Sequence, residues 1–221
     1  MARMILLPGL GADERMFANL GTLEFALETP RLPVPGRGES MPSFAARTAG
    51  LLGIGSDDLL GGSSFGSMVA SEIARQRQLR GLVLLGGALD SSGLRMLGGL
   101  RGFPLKLFPL RLLKPLVRTD KALELVFGPE NPQMRALARQ MMDAAPDALL
   151  LEGGRMAASY FPSGAPRCPV FAIHGGRDRV MAPPPVDGCR ILAEAGHGIV
   201  YTHGPLVGDF LREAWHACPG A

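Results

Sequence analysis

Gly62-Ser63-Ser64-Phe65-Gly66 is the stretch of this chain whose residue types and spacing are best suited to covalent chemistry. It fits the pattern Gly-x-Ser-x-Gly with Ser64 at the centre, whereas Ser63 fails the pattern because Phe65 is not glycine. An apolar run precedes it and a helical pattern follows. A serine on such a sharp strand-to-helix turn is held in a strained backbone conformation that lifts its hydroxyl clear of the sheet. The residues two before and two after then pass close to neighbouring backbone, where a side chain would clash. The turn also leaves the first N–H groups of the new helix pointing at the same place, ready to receive a developing oxyanion. A glycine-rich turn with an ordinary serine would share the pentapeptide, so the reading depends on the strand before it and the helix after it.

A serine nucleophile needs a base, and the base needs a carboxylate to orient it. Of the four histidines, His197 lies in AEAGHGIV, just past an apolar run and between glycines that permit a loop. His174 falls inside the apolar segment VFAIHGG, where packing is its expected role, and His203 and His216 belong in or near a terminal helix on a solvated surface. The expected acid is Asp178 in HGGRDRV, with Asp90 as the alternative. The competing reading of Asp178 is a turn cap or an ion pair with Arg177 or Arg179.

The elements that must position these groups alternate in type. Arg3–Gly9, the segment ending at Ser63, Gly81–Ala88, Cys168–Gly176 and Cys189–Gly198 are short apolar runs of the kind that form buried parallel strands. Phe25–Gly36 is a weaker strand followed by a loop rich in Pro and Gly. Ser40–Gly53, with Ser43 as its expected N-cap, and the segment from Phe65 through Gln78 carry helical spacing, with Phe65, Met68, Val69 and Ile73 on one face. Gly204–Trp215 closes the chain as an amphipathic helix. This order implies a mostly parallel sheet with helices on both faces. Loops at the carboxyl ends of neighbouring strands then share one sheet edge, which brings Ser64, Asp178 and His197 together.

Between Asp90 and Pro166 the strand signal disappears. KLFPLRLLKPLV, PQMRALARQMMDA and PDALLLEGGRMAAS read as short helices, with Pro132 and Pro146 expected in first turns. The sequence therefore predicts one domain over residues 1–221 with a helical lid at 90–166. The first part of that insertion, Ser91 to Thr119, holds six basic residues and no acidic one, which suits a solvated face or attraction for an anion.

Composition excludes several classes. The chain has 221 residues, 47% of them hydrophobic and 19% charged, enough to bury a core. A formal charge of +3 is too small to argue for nucleic acid. No cysteine–histidine set has zinc-ligand spacing, and three cysteines, Cys168, Cys189 and Cys218, form no disulfide framework and are expected reduced. The first apolar run is broken at Pro8 and Gly9, too early for a signal-peptide core, and no segment reads as a membrane span. The expectation is a cytoplasmic protein without integral membrane association.

Three motifs in the order Ser, Asp, His, namely GGSSFG, HGGRDRV and EAGHG, resemble those of the α/β-hydrolase fold superfamily. The opening LLPGLGADERMF is similar to that family's oxyanion loop, usually written HGxG, with Pro8 in place of the histidine. The similarity covers nearly the whole chain and is weakest in the insertion. It implies a minimal α/β-hydrolase fold of about six strands, beginning at what would be the family's third strand. It further implies an oxyanion hole from the backbone N–H of Leu10 and Phe65, with Gly11 as the alternative to Leu10. The activity implied is serine hydrolysis of a small carboxylic ester, without cofactor or metal. A thioesterase or acyltransferase on an acyl-carrier substrate is the alternative, and a non-catalytic binding protein of the same fold stands behind both. Met96, Leu97, Phe103 and Tyr160 are candidate walls of an acyl pocket, with core packing as the more frequent fate of such residues.

Overall fold

The computed structural model describes residues 2–95, 119–127 and 131–218. Six strands form one sheet: β1 (Met4–Leu7), β2 (Leu27–Glu28), β3 (Leu59–Ser63), β4 (Gly81–Leu85), β5 (Val170–Gly175) and β6 (Arg190–Leu192). Their spatial order is β2-β1-β3-β4-β5-β6, and every neighbouring pair is parallel.

The continuous apolar runs make sense in this setting because the central strands are covered on both faces. Along β1, Ile5 and Leu7 enter one core with Phe44, Leu60, Phe65, Met68 and Leu82, while Met4 and Leu6 enter the other with Leu59, Val83, Ile173 and Leu211. Helices α1 (Met41–Leu51) and α2 (Phe65–Gln76) supply the first core. The final helix, α7 (Gly204–Ala217), supplies the second. Each fully buried Leu or Ile in these layers contributes roughly 1.5–3 kcal/mol of transfer free energy.

Both edge strands are shorter than the sequence pattern suggests. β2 has two residues, because Pro30, Pro33 and Pro35 lack the N–H a ladder requires. β6 has three, because the chain turns after Leu192, where Ala195 N–H donates to Leu192 O at 3.1 Å. The N-cap of α1 is Ser40 rather than Ser43: Ser40 Oγ accepts from Ser43 N–H, and Pro42 occupies the first turn, where a missing N–H costs nothing.

Among the described residues, three α-helices lie between β4 and β5: α3 (Asp120–Phe127), α4 (Pro132–Ala144) and α5 (Asp147–Ser159). Pro132 begins α4 as expected, whereas Pro146 sits at the N-cap of α5 instead of inside its first turn. Leu123, Met134, Ala138 and Met141 join the second core, and Leu149 and Met156 the first. The expected helix KLFPLRLLKPLV, residues Met96, Leu97 and Phe103, and all of the basic run except Arg95 lie outside the described residues. A further helix, α6 (Ile199–Thr202), is a single turn between β6 and α7.

Candidate active site

The site is built on the passage from β3 into α2. Ser64 has φ 53° and ψ −119°, and it is the only non-glycine residue with positive φ among the described residues. Such a conformation costs on the order of 1–3 kcal/mol and persists only where its surroundings enforce it. The enforcement is steric. A Cβ on Gly62 would lie 2.4 Å from the Gly66 carbonyl carbon, and one on Gly66 would lie 2.2 Å from Leu7 O. Only glycine permits helix and strands to approach this closely. A serine at a helix N-cap ordinarily turns its oxygen onto the helix, yet Ser64 makes no side-chain cap bond. Its hydroxyl faces His197 instead, with Oγ 2.9 Å from Nε2.

Ser67 braces this turn. Its buried hydroxyl donates to Ser64 O at 2.5 Å, lies 3.1 Å from Ala88 O, and accepts from Ala88 N–H at 3.0 Å. The elbow is thereby tied to the loop after β4. Sequence reading missed Ser67; its signal was a hydroxyl three residues past Ser64, on a helix face of small residues with Ala70, Ser71 and Ala74.

His197 and Asp178 arrive from the loops after β6 and β5. Those loops cross at backbone contact: a Cβ on Gly175 would lie 2.4 Å from Gly196 O, and one on Gly176 would lie 2.6 Å from Ala193 O. Arg177 N–H donates to Ala195 O across the crossing. No helix intervenes between β5 and β6. Asp178 is fully buried, and its Oδ2 lies 2.7 Å from His197 Nδ1. Its Oδ1 accepts from Val180 N–H at 2.8 Å and Met181 N–H at 2.9 Å. Burial pushes this carboxyl up, but the His197 hydrogen bond and charge, with the Met181 N–H, outweigh it and hold Asp178 below the usual aspartate range. Arg177 pairs with Glu194 rather than with Asp178.

The other sequence candidates sit elsewhere. Asp90 caps the short turn Ser91–Gly93, its Oδ1 accepting from Ser92 N–H at 2.7 Å. His216 is exposed and pairs with Glu24, and the half-buried His203 bonds Thr202. His174 is buried as expected, with Nε2 3.1 Å from Met181 O.

Leu10, in the loop after β1, and Phe65, at the start of α2, both line a cavity of about 270 Å³ that reaches Ser64 and His197. A Cβ on Gly9 would lie 3.3 Å from Ser64 Cβ, which measures how closely this loop approaches the elbow. The remaining wall is apolar and rich in methionine, including Met16, Phe127, Met134, Met141 and Met142. Tyr160 does not line it. Its hydroxyl hydrogen-bonds Glu72 and accepts from Arg75 at 2.9 Å, in a separate cleft beside Met41 and Phe161. A tyrosine at that depth satisfies its O–H with a buried carboxylate instead of facing an apolar cavity. Among the described residues, no set of three His, Cys, Asp or Glu side chains is placed to hold a metal, and no helix is long and apolar enough to cross a membrane. All three cysteines are free, and burial, with Cys218 nearby, pushes the Cys168 thiol up to about 11.

No family model and no curated protein matches this chain. Solved structures do. A thermophilic esterase from Thermogutta terrifontis is similar with a TM-score of 0.77 at 21% identity, over 99% of this chain and 90% of that one. An enol-lactonase from Burkholderia xenovorans is similar at 0.68 and 17% identity, over 96% and 92%. A thioesterase of prodiginine biosynthesis from Streptomyces coelicolor is similar at 0.61 and 20% identity, over 95% and 86%. The chain has the α/β-hydrolase fold, in a six-stranded parallel form.

Proposed function

We propose that this protein is a serine hydrolase that cleaves a small carboxylic ester through an acyl-enzyme on Ser64. The observation that carries the reading is the continuous chain Ser64 Oγ, His197, buried Asp178, with links of 2.9 and 2.7 Å. With Nδ1–H donated to Asp178, the neutral imidazole presents its Nε2 lone pair to the serine hydroxyl. As Oγ attacks the carbonyl carbon, its proton passes to Nε2, and the imidazolium is stabilised by the Asp178 carboxylate. The carbonyl π electrons move onto oxygen, which the N–H groups of Leu10 and Phe65 receive. Collapse of the tetrahedral species expels the alkoxide, which takes the proton from Nε2. Water then repeats the sequence on the acyl-enzyme and releases the acid. The helices of the insertion act as a lid whose apolar inner wall holds the acyl group.

Esters fit the wall chemistry, since a small apolar cavity with few polar groups suits a short uncharged acyl chain. A thioester on an acyl carrier is the second reading, favoured by the run of basic residues from Arg95 to Arg118 and by the likeness to a thioesterase. Salt separates the two, because a charged carrier docked on that run loses affinity as ionic strength rises. The direct test is hydrolysis of a chain-length series of p-nitrophenyl esters by the wild type and by Ser64→Ala. Turnover that disappears in the variant supports the reading, and turnover that survives overturns it.

A further inference from the structure

A second imidazole points at the acid. His174 lies on β5, paired in register with Ile191 of β6, and its side chain is completely buried. Its Nε2 lies 3.1 Å from Met181 O and 3.4 Å from Asp178 Oδ2. Both neighbours are acceptors, so the proton of the neutral ring resides on Nε2. Nδ1 is buried and has no hydrogen-bond partner. A buried ring nitrogen left unpaired is unfavourable, and a leucine at this depth would avoid it. The histidine therefore owes its place to what the other nitrogen does.

That nitrogen hydrogen-bonds Met181 O and stands beside Asp178 Oδ2. Oδ1 is held by the N–H groups of Val180 and Met181, whereas Oδ2 lies 2.7 Å from His197 Nδ1 and 3.4 Å from His174 Nε2. The same N–H reaches Met181 O, so it bridges both ends of the loop that carries the acid. Charged and titratable groups approach His174 from three elements: Asp178 on its own loop, His197 from the loop after β6, and Arg95 from the segment after β4. Arg95 donates to Asp178 O at 2.6 Å. Burial, with the charges of His197 and Arg95, pushes His174 below its ordinary value, so it serves as a neutral donor while His197 cycles.

We propose that His174 is a positioning residue for the acid, its Nε2–H holding the Asp178 loop so that Oδ2 stays on His197 Nδ1. This rests on the reading of Ser64, His197 and Asp178 as the catalytic groups. Without that donor the carboxylate swings from His197, and the imidazolium formed as Ser64 attacks is less stabilised.

The test is the second-order rate of fluorophosphonate labelling of Ser64 as a function of pH, in the wild type, His174→Leu and His174→Gln, with thermal unfolding as the fold control. Glutamine keeps an N–H donor near the Nε2 position; leucine keeps only bulk. The expected result is a rate about tenfold lower for folded His174→Leu, an acid limb moved to lower pH, and recovery of most of both by His174→Gln. A limb that stays in place or moves up overturns the proposal, as does a loss that glutamine fails to restore. Should His174→Leu not fold, the wild-type imidazole ¹⁵N spectrum decides. A neutral Nε2–H tautomer from pH 5 to 8 supports the proposal, and an Nδ1–H or protonated ring at pH 7 overturns it. A wild type that is not labelled at Ser64 overturns the catalytic reading itself, and this inference with it. Labelling that is equal in wild type and His174→Leu overturns the inference alone.

Discussion

Replacing Asp178 by asparagine exchanges one carboxylate oxygen for an NH2 group, and the surrounding donors decide which one. The new amide has a single acceptor, and Val180 N–H and Met181 N–H, at 2.8 and 2.9 Å from the present Oδ1, compel the oxygen to that side. The NH2 group then takes the place of Oδ2 and points at His197 Nδ1, where only an unprotonated nitrogen can accept it. His197 must move its proton to Nε2, the nitrogen 2.9 Å from Ser64 Oγ, and the base is lost with scarcely an atom displaced. A wrong tautomer of this kind costs about 10³–10⁴ in rate, or about 4–5.5 kcal/mol of transition-state stabilisation. The assay is kcat/KM on a p-nitrophenyl ester together with the fluorophosphonate labelling rate of Ser64, with thermal unfolding to establish that the variant folds. A folded Asp178→Asn within tenfold of the wild type in both assays would rule out a tautomer-fixing role for Asp178.

Other variants probe the scaffold. Ser67→Ala leaves the buried Ala88 N–H and Ser64 O without their hydroxyl partner and should destabilise by about 1–3 kcal/mol in urea unfolding, with a slower labelling rate as the elbow loosens. Gly66→Ala drives a Cβ into Leu7 O and Pro8 O, both backbone atoms that cannot step aside. A loss of about 1–3 kcal/mol or more is expected in the same assay, and wild-type stability would contradict the close approach. For pH, His174 is depressed below its ordinary 6.5, so the unfolded chain takes up a proton there that the folded protein refuses. That contribution is fully present above about pH 6.5 and is lost as pH falls. The unfolding temperature should therefore drop from pH 7 toward pH 5, with a shallower slope in His174→Leu. Asp178 is depressed below its ordinary 3.8, so its own contribution persists until the pH falls under that value.

Much of the site could be read from residue types because sterics restrict them. Gly62 and Gly66 mark places where no Cβ fits, so a strand-to-helix turn around Ser64 leaves a distinct trace. The placement of Asp178 and His197 beside Ser64 is legible for a related reason: each follows an apolar run and a glycine, and parallel strands place such loops at one edge. The cavity wall was not legible. The periodicity of α4 marks Met134, Ala138 and Met141 as an inward face, but periodicity does not say whether a face meets a core or a cavity. Tyr160 illustrates the same gap, because nothing local to it announces Glu72 and Arg75 as partners. His174 has the pattern of an ordinary buried strand residue, and its bearing on Asp178 emerges only when the turn after β5 folds back. The edge strands are shorter than the pattern suggests, β2 because prolines follow it and β6 because the chain turns after Leu192 although Ala193 and Ala195 continue the apolar run.

Whether Ser64 is the nucleophile is decided by treating the wild type with a fluorophosphonate and locating the adduct by peptide mass. One phosphonylated residue is expected, Ser64, with no adduct in Ser64→Ala and a rate collapsed in His197→Ala. An unlabelled Ser64 in the folded protein, or an adduct on Ser63, would contradict Ser64 as the nucleophile.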